Sequence, residues 1–346
     1  MTLKDIAKEL GVSPSTVSRV ISGTGNNFTV KPELRQRILD YVRECGYRPN
    51  QAYQAMRKKD NQQIAIIMRS VWSNTQAFNI TNGVDSLTLN LHRQGYTFHY
   101  LIRPMELYHS FGLPDWKVAG VIAVDAHTRE SLQELNGSNI PYVVLNGVTG
   151  DNGSAVRANE EFNMNLALNH LFELGHRKIV FVNAYRPASL PRMPFHEHHY
   201  SVIDRAEAYF KFCKERGLFF QETADSCDYS EEEVVRQGVA AGATAYVTYG
   251  FNTYLAVCHY LTEFGLRVPE DVSVVCFNND PLSEYSFPPA TCIEIPVMQM
   301  GATAGELLLE RIRNPKSKPR TEMFSGRLII RKSTAPVRKN NKNKQR

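Results

Sequence analysis

Apolar residues recur at helical spacing in three segments near the start of the chain. The first segment has apolar side chains at positions 3, 6, 7 and 10, which predicts an amphipathic helix that ends at Gly11. The second starts with Ser13, a good capping residue, and Pro14, which suits a first helical turn. The third runs from Pro32 to about Cys45. Two short helices joined by a tight turn, the second with a polar N-terminal end, predict a helix-turn-helix, whose second helix enters the DNA major groove. An ordinary pair of core helices is the alternative.

From residue 63 onward the pattern changes to short, continuous apolar runs separated by helix-length segments. The runs lie at 64–68, 119–124, 142–145, 178–182, 245–248 and 272–276, and the helix-length segments include 161–174 and 203–216. Continuous apolar runs of this length are typical of parallel strands that are buried on both faces of βαβ units. A chain of 346 residues is too long for one core, which favours a small head and two larger lobes.

A short basic segment connects the predicted head to the predicted body. Asn50 is a suitable cap for a helix over 50–58. A helix of about two turns is not stable alone in water. We therefore expect this segment to fold only on its target.

Charge is distributed unevenly along the chain. Residues 1–60 contain eleven Lys or Arg and six Asp or Glu, and residues 331–346 contain seven Lys or Arg and no acidic residue. The segment between them is acidic, although the whole chain has a net charge of +5. A basic head is the electrostatic footprint of phosphate binding, so we expect the head alone to contact DNA. We expect the basic tail at 337–346 to be disordered.

Composition and motifs argue against several classes of protein. The sequence has no run of eighteen apolar residues and no apolar N-terminal signal segment, which argues against membrane spanning and export. Its six cysteines are scattered, as in a reduced cytoplasmic protein. No motif indicates a cofactor or catalysis, so we expect neither. The histidines at 196, 198 and 199 follow a Pro-rich stretch, which favours a solvated loop over a metal site.

Several motifs along the chain are distinctive. They read T-L-K-D-I-A-K-E-L-G-V-S at 2–13, S-T-V-S-R-V at 15–20, G-Y-R-P-N at 46–50, L-G-H-R-K-I at 174–179, G-L-R-V-P-E-D-V-S at 265–273, P-P-A-T at 288–291 and L-I-I-R-K-S-T at 328–334. Together they resemble the LacI/GalR family of bacterial transcription regulators over about residues 2–336.

The resemblance implies an architecture. It consists of a helix-turn-helix DNA-binding head with a hinge helix (1–60) and an α/β two-lobed, periplasmic-binding-protein-like body (61–336). The chain is expected to cross between the lobes near Ala158, Ser286 and Phe324. Ligands of open α/β sheets bind beyond the carboxyl ends of the strands, which here means the cleft between the lobes.

The resemblance also assigns the DNA contacts. The base-reading positions fall on Pro14, Ser15 and Arg19, and Arg19 is the strongest of these because a guanidinium suits bidentate recognition of guanine. Met56 stands where the family has a Leu that wedges into the minor groove. Tyr53 stands where the family usually has Ala. The residues expected at the DNA are Thr2, Leu3, Ser13, Pro14, Ser15, Thr16, Ser18, Arg19, Thr29, Asn50, Gln51, Tyr53, Gln54 and Met56.

The effector positions implied by the resemblance depart from the family pattern. Sugar-binding members typically have Asp at the positions of Asn146 and Asn278, and Asn-Asp where Gly250 and Phe251 stand. Carboxylates accept paired hydrogen bonds from sugar hydroxyls, so their loss changes the expected ligand. The expected effector-binding residues are Asn74, Asn146, Ser201, Arg205, Tyr229, Phe251 and Asn278.

Three hypotheses about the cleft remain open at this point. Arg205 keeps its place as a cation with no obvious partner, which predicts an anionic effector such as a sugar acid or a sugar phosphate. Alternatively, Arg205 pairs with a nearby carboxylate such as Asp204 or Glu207, or no small ligand binds at all. The aromatic rings of Tyr249 and Phe251 either stack on a ligand or pack in the core, and core packing is favoured.

The sequence therefore predicts a cytoplasmic, homodimeric, sequence-specific transcription regulator, a repressor of carbohydrate-related genes. Its expected partners are double-stranded operator DNA and a small-molecule effector, namely a sugar, sugar acid or sugar phosphate. A solute-binding protein with the same two-lobed body is the alternative, and the DNA-binding head argues against it.

Overall fold

The computed structural model of the chain describes residues 2–22, 30–47, 62–69, 76–103, 110, 112–183, 197–221 and 229–338. The chain divides into two compact units, Met1–Asn61 and Gln62–Arg346. The predicted hinge helix at 50–58 lies outside the described residues.

The first unit contains the three predicted helices. These are α1 (Leu3–Leu10), α2 (Pro14–Ser22) and α3 (Pro32–Glu44). Gly11 ends α1 in the left-handed conformation, with φ of 66°, and its N–H donates to the carbonyls of Ala7 and Lys8. Buried apolar side chains from all three helices form one core, which contains Ile6, Ala7, Leu10, Val17, Val20 and Ile38. The helix-turn-helix prediction is confirmed.

The second unit contains two sheets, each of which forms the centre of a lobe. The first sheet consists of β1 (Gln63–Arg69), β2 (Thr97–Arg103), β3 (Gly120–Val124), β4 (Tyr142–Leu145), β5 (Ser154–Ala158) and β10 (Thr321–Phe324). Its strand order is β10-β5-β4-β3-β1-β2, and all the pairs are parallel. The helices of this lobe are α4 (Gln76–Arg93), α5 (Arg129–Gly137) and α10 (Val297–Arg313). Helix α10 lies against α4, where a Cβ on Gly301 would stand 1.8 Å from the carbonyl oxygen of Gly83, so this close approach requires glycine.

The second sheet is built in the same way. It consists of β6 (Ile179–Val182), β7 (Ala245–Thr248), β8 (Ser273–Phe277), β9 (Thr291–Glu294) and β11 (Arg327–Ile329), in the order β11-β9-β8-β7-β6. Strand β11 is antiparallel to β9 and the other pairs are parallel. Helices α6 (Glu160–Glu173) and α7 (Tyr200–Glu215) contribute to the core on one face. Helices α8 (Glu231–Ala240) and α9 (Phe251–Glu263) contribute to the core on the other face. The predicted α/β two-lobed body is confirmed.

The chain passes between the lobes at three places. Two follow β5 at Ala158 and β10 at Phe324, as predicted. The predicted crossover near Ser286 is wrong. Ser286 precedes β9, a strand of the second sheet, and the chain returns to the first lobe only between β9 and α10, at 295–296. The turn residues around 286 resemble a linker, but they belong to a loop within the second lobe.

The last described residues are attached to the second lobe. The N–H of Val337 donates to the carbonyl of Leu174, and Arg338 pairs with Asp271 at 3.0 Å. The predicted disorder of the tail is therefore wrong for residues 337 and 338, and 339–346 lie outside the described residues. Within the described part of the chain, no helix is both long enough and apolar enough to cross a membrane.

Candidate DNA-binding and effector-binding sites

The polar N-terminal end of α2 is ordered by its own hydroxyl groups. Ser13 caps the helix, because its Oγ accepts a hydrogen bond from the N–H of Thr16 at 3.1 Å. The Ser13 hydroxyl also bonds those of Ser15 at 2.7 Å and Thr16 at 2.8 Å. Val17 and Val20 face the core of the head, which fixes the rotation of α2. The exposed face of α2 consequently presents Pro14, Ser15 and Arg19, the three predicted base readers.

The start of α1 is ordered by a capping box. The hydroxyl and the N–H of Thr2 donate to the carboxylate of Asp5, and the Asp5 N–H donates back to the hydroxyl at 3.3 Å. The hydrogen bond from the Thr2 backbone is the main reason that the pKa of Asp5 lies below its usual value. The side chain of Leu3 packs on the core of the head. The group of Leu3 that remains for the predicted contact with a phosphate is therefore its backbone N–H. The remaining predicted DNA contacts, Thr29, Asn50, Gln51, Tyr53, Gln54 and Met56, lie outside the described residues.

Residues with left-handed backbone follow three of the buried strands. Asp125 (φ 59°) follows β3, Asn146 (φ 58°) follows β4 and Asn278 (φ 65°) follows β8. Strands β3 and β4 are parallel neighbours, which places Asp125 beside Asn146 at the carboxyl edge of the first sheet. The Nδ2 of Asn146 donates to Oδ1 of Asp125 at 2.6 Å. This edge therefore still carries a carboxylate, one strand away from the position at which Asn replaces the family's Asp.

Arg205 has a partner, and it is neither of the two candidates named from the sequence. Its Nε and Nη2 donate to the two carboxylate oxygens of Glu160 at 2.9 and 2.8 Å. Its Nη1 donates to the carbonyl of Tyr249 at 2.7 Å. The guanidinium also lies over the ring of Phe277, 4.0 Å from its centroid. The side chains of Arg205 and Glu160 are only 4% and 2% exposed, so the positive charge is neutralised inside the second lobe.

This pairing changes the electrostatics of the predicted effector site. Burial alone would lower the pKa of Arg205, but the charge and hydrogen bonds of Glu160 more than offset this and raise it. Asp204, one of the two partners suggested for Arg205 from the sequence, lies 3.6 Å from Arg157. Burial raises the pKa of Asp204, although the charge of Arg157 opposes this shift. The hypothesis that Arg205 is a cation without a partner and binds an anionic effector is therefore wrong.

The structure brings together some of the predicted effector residues and separates others. Ser201 lies near Arg205 on α7, and its hydroxyl bonds the hydroxyl of Tyr249 at 2.7 Å. Phe251 is buried in the core and its ring stacks on that of Tyr254. Of the two hypotheses for this ring, ligand stacking and core packing, the structure therefore supports core packing. Tyr229 is 41% exposed at the surface. Asn74 lies outside the described residues.

His199 was expected in a solvated loop, and the structure corrects this expectation. It is half-buried and caps α7, since its side chain accepts a hydrogen bond from the N–H of Ser201. Its ring contacts His127 edge to face, with centroids 5.2 Å apart. Among the described residues no three potential metal-binding side chains come together. His196 lies outside that part of the chain.

Sequence reasoning missed the residues that are hydrogen-bonded to Asn146 and Arg205, namely Asp125, Glu160, His199 and Tyr200. Asp125 had a usable signal, because it directly follows an apolar run and the carboxyl ends of parallel strands form ligand sites. Glu160 had none, since an acidic residue at a helix N-terminus is ordinarily explained by the helix dipole alone.

Comparison with known proteins agrees with both halves of this description. Residues 2–50 match the family described as bacterial regulatory proteins, lacI family, and residues 168–334 match the periplasmic binding protein-like domain. The HTH-type transcriptional repressor PurR of Actinobacillus pleuropneumoniae serotype 3 (strain JL03) is 28% identical, over 98% of this chain and 99% of that protein.

Solved structures show the same fold. The lac repressor dimer bound to operator and the anti-inducer ONPF aligns with a TM-score of 0.75 at 22% identity, and the alignment covers 97% of this chain and 99% of that one. A LacI family transcriptional regulator from Enterococcus faecium with bound ribose aligns with a TM-score of 0.64 at 21% identity, over 80% of this chain and 100% of that one.

Proposed function

The chain belongs to the LacI family of bacterial DNA-binding transcription regulators, and from this premise we propose that it is a repressor of carbohydrate-related genes. The observation that carries the DNA-binding part of the proposal is the exposed face of α2, where Pro14, Ser15 and Arg19 project from a helix whose rotation is fixed by the core of the head. Operator DNA is its proposed partner, which places its action in the cytoplasm. The segment at 50–58, with Met56 as the wedge, is proposed to fold at the centre of the operator.

The proposed effector is a neutral, sugar-type molecule in the cleft between the lobes. Two observations favour a neutral ligand over a sugar acid or a sugar phosphate. Glu160 already neutralises Arg205, and the carboxylate of Asp125 lies at the edge of the first sheet beside Asn146. A carboxylate accepts hydrogen bonds from sugar hydroxyls and repels an anion. The ribose bound by the Enterococcus faecium regulator is a ligand of this neutral class.

The proposed assembly is a homodimer. Large apolar side chains are exposed on α4 and the edge strand β2 of the first lobe, at Leu89, Tyr100 and Ile102. Others are exposed on α9 and the 281–287 segment of the second lobe. These are Leu255, Leu282, Tyr285 and Phe287, of which Phe287 is 98% exposed. Large apolar side chains exposed on both lobes are candidates for burial in a protein–protein interface. A dimer also presents two heads to a pseudo-palindromic site, which a single head reads too weakly.

Two measurements test the proposed function. Footprinting of the full chain on DNA upstream of its own gene should show protection of an imperfect palindrome. The affinity of the protein for this site should fall steeply as the salt concentration rises. Protection without a preferred site contradicts specific regulation. Thermal-shift screening should then compare each neutral sugar with its acid and its phosphate. Stabilisation by the neutral sugar is expected, and stronger stabilisation by a charged form contradicts the proposed effector class.

A further inference from the structure

Tyr200 joins the two lobes through its hydroxyl group. It is the first residue of α7, in the second lobe, and its side chain reaches the carboxyl edge of the first sheet. The hydroxyl donates to Oδ1 of Asn146 at 2.9 Å and accepts a hydrogen bond from the backbone N–H of Ala158 at 3.0 Å. Both roles of a tyrosine hydroxyl, donor and acceptor, are thus used by the opposite lobe.

His199 makes a second connection beside it. Its Nε2 lies 2.7 Å from the carbonyl oxygen of Asn146, while its Nδ1 lies 2.8 Å from the hydroxyl of Ser201. Its Nε2 also stands 3.9 Å from the carboxylate of Asp125. Asn146 is therefore contacted by two consecutive residues of the other lobe, one at its side chain and one at its backbone.

We infer that Tyr200 and Asn146, supported by His199, form an interlobe clasp that keeps the cleft closed through the protein's own side chains. In this arrangement Tyr200 is a positioning residue, which sets the relative placement of the lobes through Asn146 and Ala158. The position of Ala158 makes the clasp effective, because this residue ends β5 immediately before the chain crosses to α6.

Burial explains why the clasp is hard to open. Tyr200 is 4% exposed and Ala158 is 2% exposed. Separation of the lobes leaves the Tyr200 hydroxyl and the Ala158 N–H without these partners, and a buried polar group without a partner is unfavourable until water reaches it. The clasp thus favours one lobe arrangement over others.

The clasp also uses groups that the proposed effector needs, and this consequence rests on the proposed function. Asn146 and Ser201 are predicted effector-binding residues, and both are hydrogen-bonded within the clasp or to its support. An effector that binds the Asn146 side chain competes with Tyr200 for Oδ1. Effector binding and closure by the clasp are then alternatives, which links the cleft to the arrangement of the lobes.

Hydrogen exchange of the full chain, measured without DNA or added sugar, tests the clasp directly. In the wild type the Ala158 amide is expected to be protected, because it donates to Tyr200. Tyr200→Phe removes the hydroxyl and should raise the exchange rate of this amide at least tenfold. The amides of β7, in the core of the second lobe, report in the same experiment whether the variant remains folded.

Tyr209→Phe is the matched control. Tyr209 is another buried tyrosine of α7, and its hydroxyl likewise donates to a carbonyl, that of Ile179, and accepts from a backbone N–H, that of Gln221. Both of these partners belong to the second lobe. Tyr209→Phe should therefore leave exchange at Ala158 unchanged.

A second variant removes the clasp from the other side. Asn146→Gly keeps the left-handed backbone accessible and deletes the acceptor of Tyr200. It should raise exchange at Ala158, and the double variant with Tyr200→Phe should exchange no faster than Tyr200→Phe alone. Unprotected Ala158 in the wild type, or equal protection in Tyr200→Phe and Tyr209→Phe, overturns the clasp. Neither result bears on DNA binding, so the proposed function is tested separately.

Discussion

Arg205 and Glu160 form a bidentate ion pair between helices α7 and α6, with nitrogen–oxygen distances of 2.9 and 2.8 Å. Glu160 is the first residue of α6 and follows the crossover at Ala158, so the pair ties that helix to α7 where the chain enters the second lobe. The resemblance to a family placed Arg205 among the effector-binding residues and left open whether it binds an anion or pairs with a carboxylate. The structure gives it a role in holding the lobe together.

We predict that Arg205→Ala destabilises the protein. Removal of the guanidinium leaves the Glu160 carboxylate buried and unpaired, which should lower the free energy of unfolding by about 3–5 kcal/mol. Urea denaturation of the full chain measures this. The matched control is Lys211→Ala, which breaks the exposed Lys211–Glu161 pair between the same two helices and should change little. If the free energy of unfolding of Arg205→Ala equals that of Lys211→Ala, the structural role of Arg205 is contradicted.

A pH-dependent loss of stability is predicted at His176. This histidine is 2% exposed, and its ring bonds the hydroxyls of Thr244 and Ser273 and the carbonyl of Ala335, each at 3.0 Å. Burial lowers its pKa, although the Ala335 carbonyl opposes the shift. The unfolded chain then takes up a proton below a pH of about 6.5 that the folded chain does not, so stability falls as the pH drops through this value.

Thermal unfolding at pH 7.5 and 5.5 checks this prediction. The fall in Tm between the two values should be larger for the wild type than for His176→Gln. Substitution of the exposed His259 serves as the control and should leave the fall as in the wild type. An identical pH dependence in His176→Gln shows that this histidine does not titrate on unfolding.

The dimer proposal predicts that Ile102→Glu weakens self-association. Ile102 lies on the edge strand β2 and is 63% exposed, and a charge there opposes burial in an interface. Sedimentation equilibrium should show a dimer dissociation constant at least tenfold higher. Ile330 is 64% exposed and directly follows β11 in the second lobe, away from β2, so Ile330→Glu is the matched control and should leave association unchanged. Equal behaviour of the two variants contradicts the proposed interface.

The sequence predicted the fold more completely than the site, for physical reasons. Strands such as β3 and β7 are buried on both faces, so they appear as unbroken apolar runs. Strand β2 lies at an edge of its sheet and consists of exposed and half-buried residues. Strands β10 and β11 are short and contain charged residues. None of these three strands therefore appears in the sequence as an unbroken apolar run.

The site depends on contacts between residues distant in sequence. Glu160 and Arg205 are 45 positions apart, and Asn146 and Tyr200 are 54 apart. No local pattern marks such partners, because only the packing of helices on sheets brings them together. The resemblance to a family identified where the cleft lies, but not which groups within it are already paired.

The most direct test of the central claim is selection of binding sites from random DNA by the wild type and by Arg19→Ala. Arg19 lies on the exposed face of α2, and we propose that its guanidinium contacts the edge of a guanine. The wild type should select a pseudo-palindromic site, and Arg19→Ala should lose about 1–3 kcal/mol of affinity and relax one base position in each half-site. Arg43→Ala, an exposed arginine of α3, is the control for lost charge. An identical consensus and affinity for Arg19→Ala, or no consensus for the wild type, contradicts sequence-specific recognition through α2.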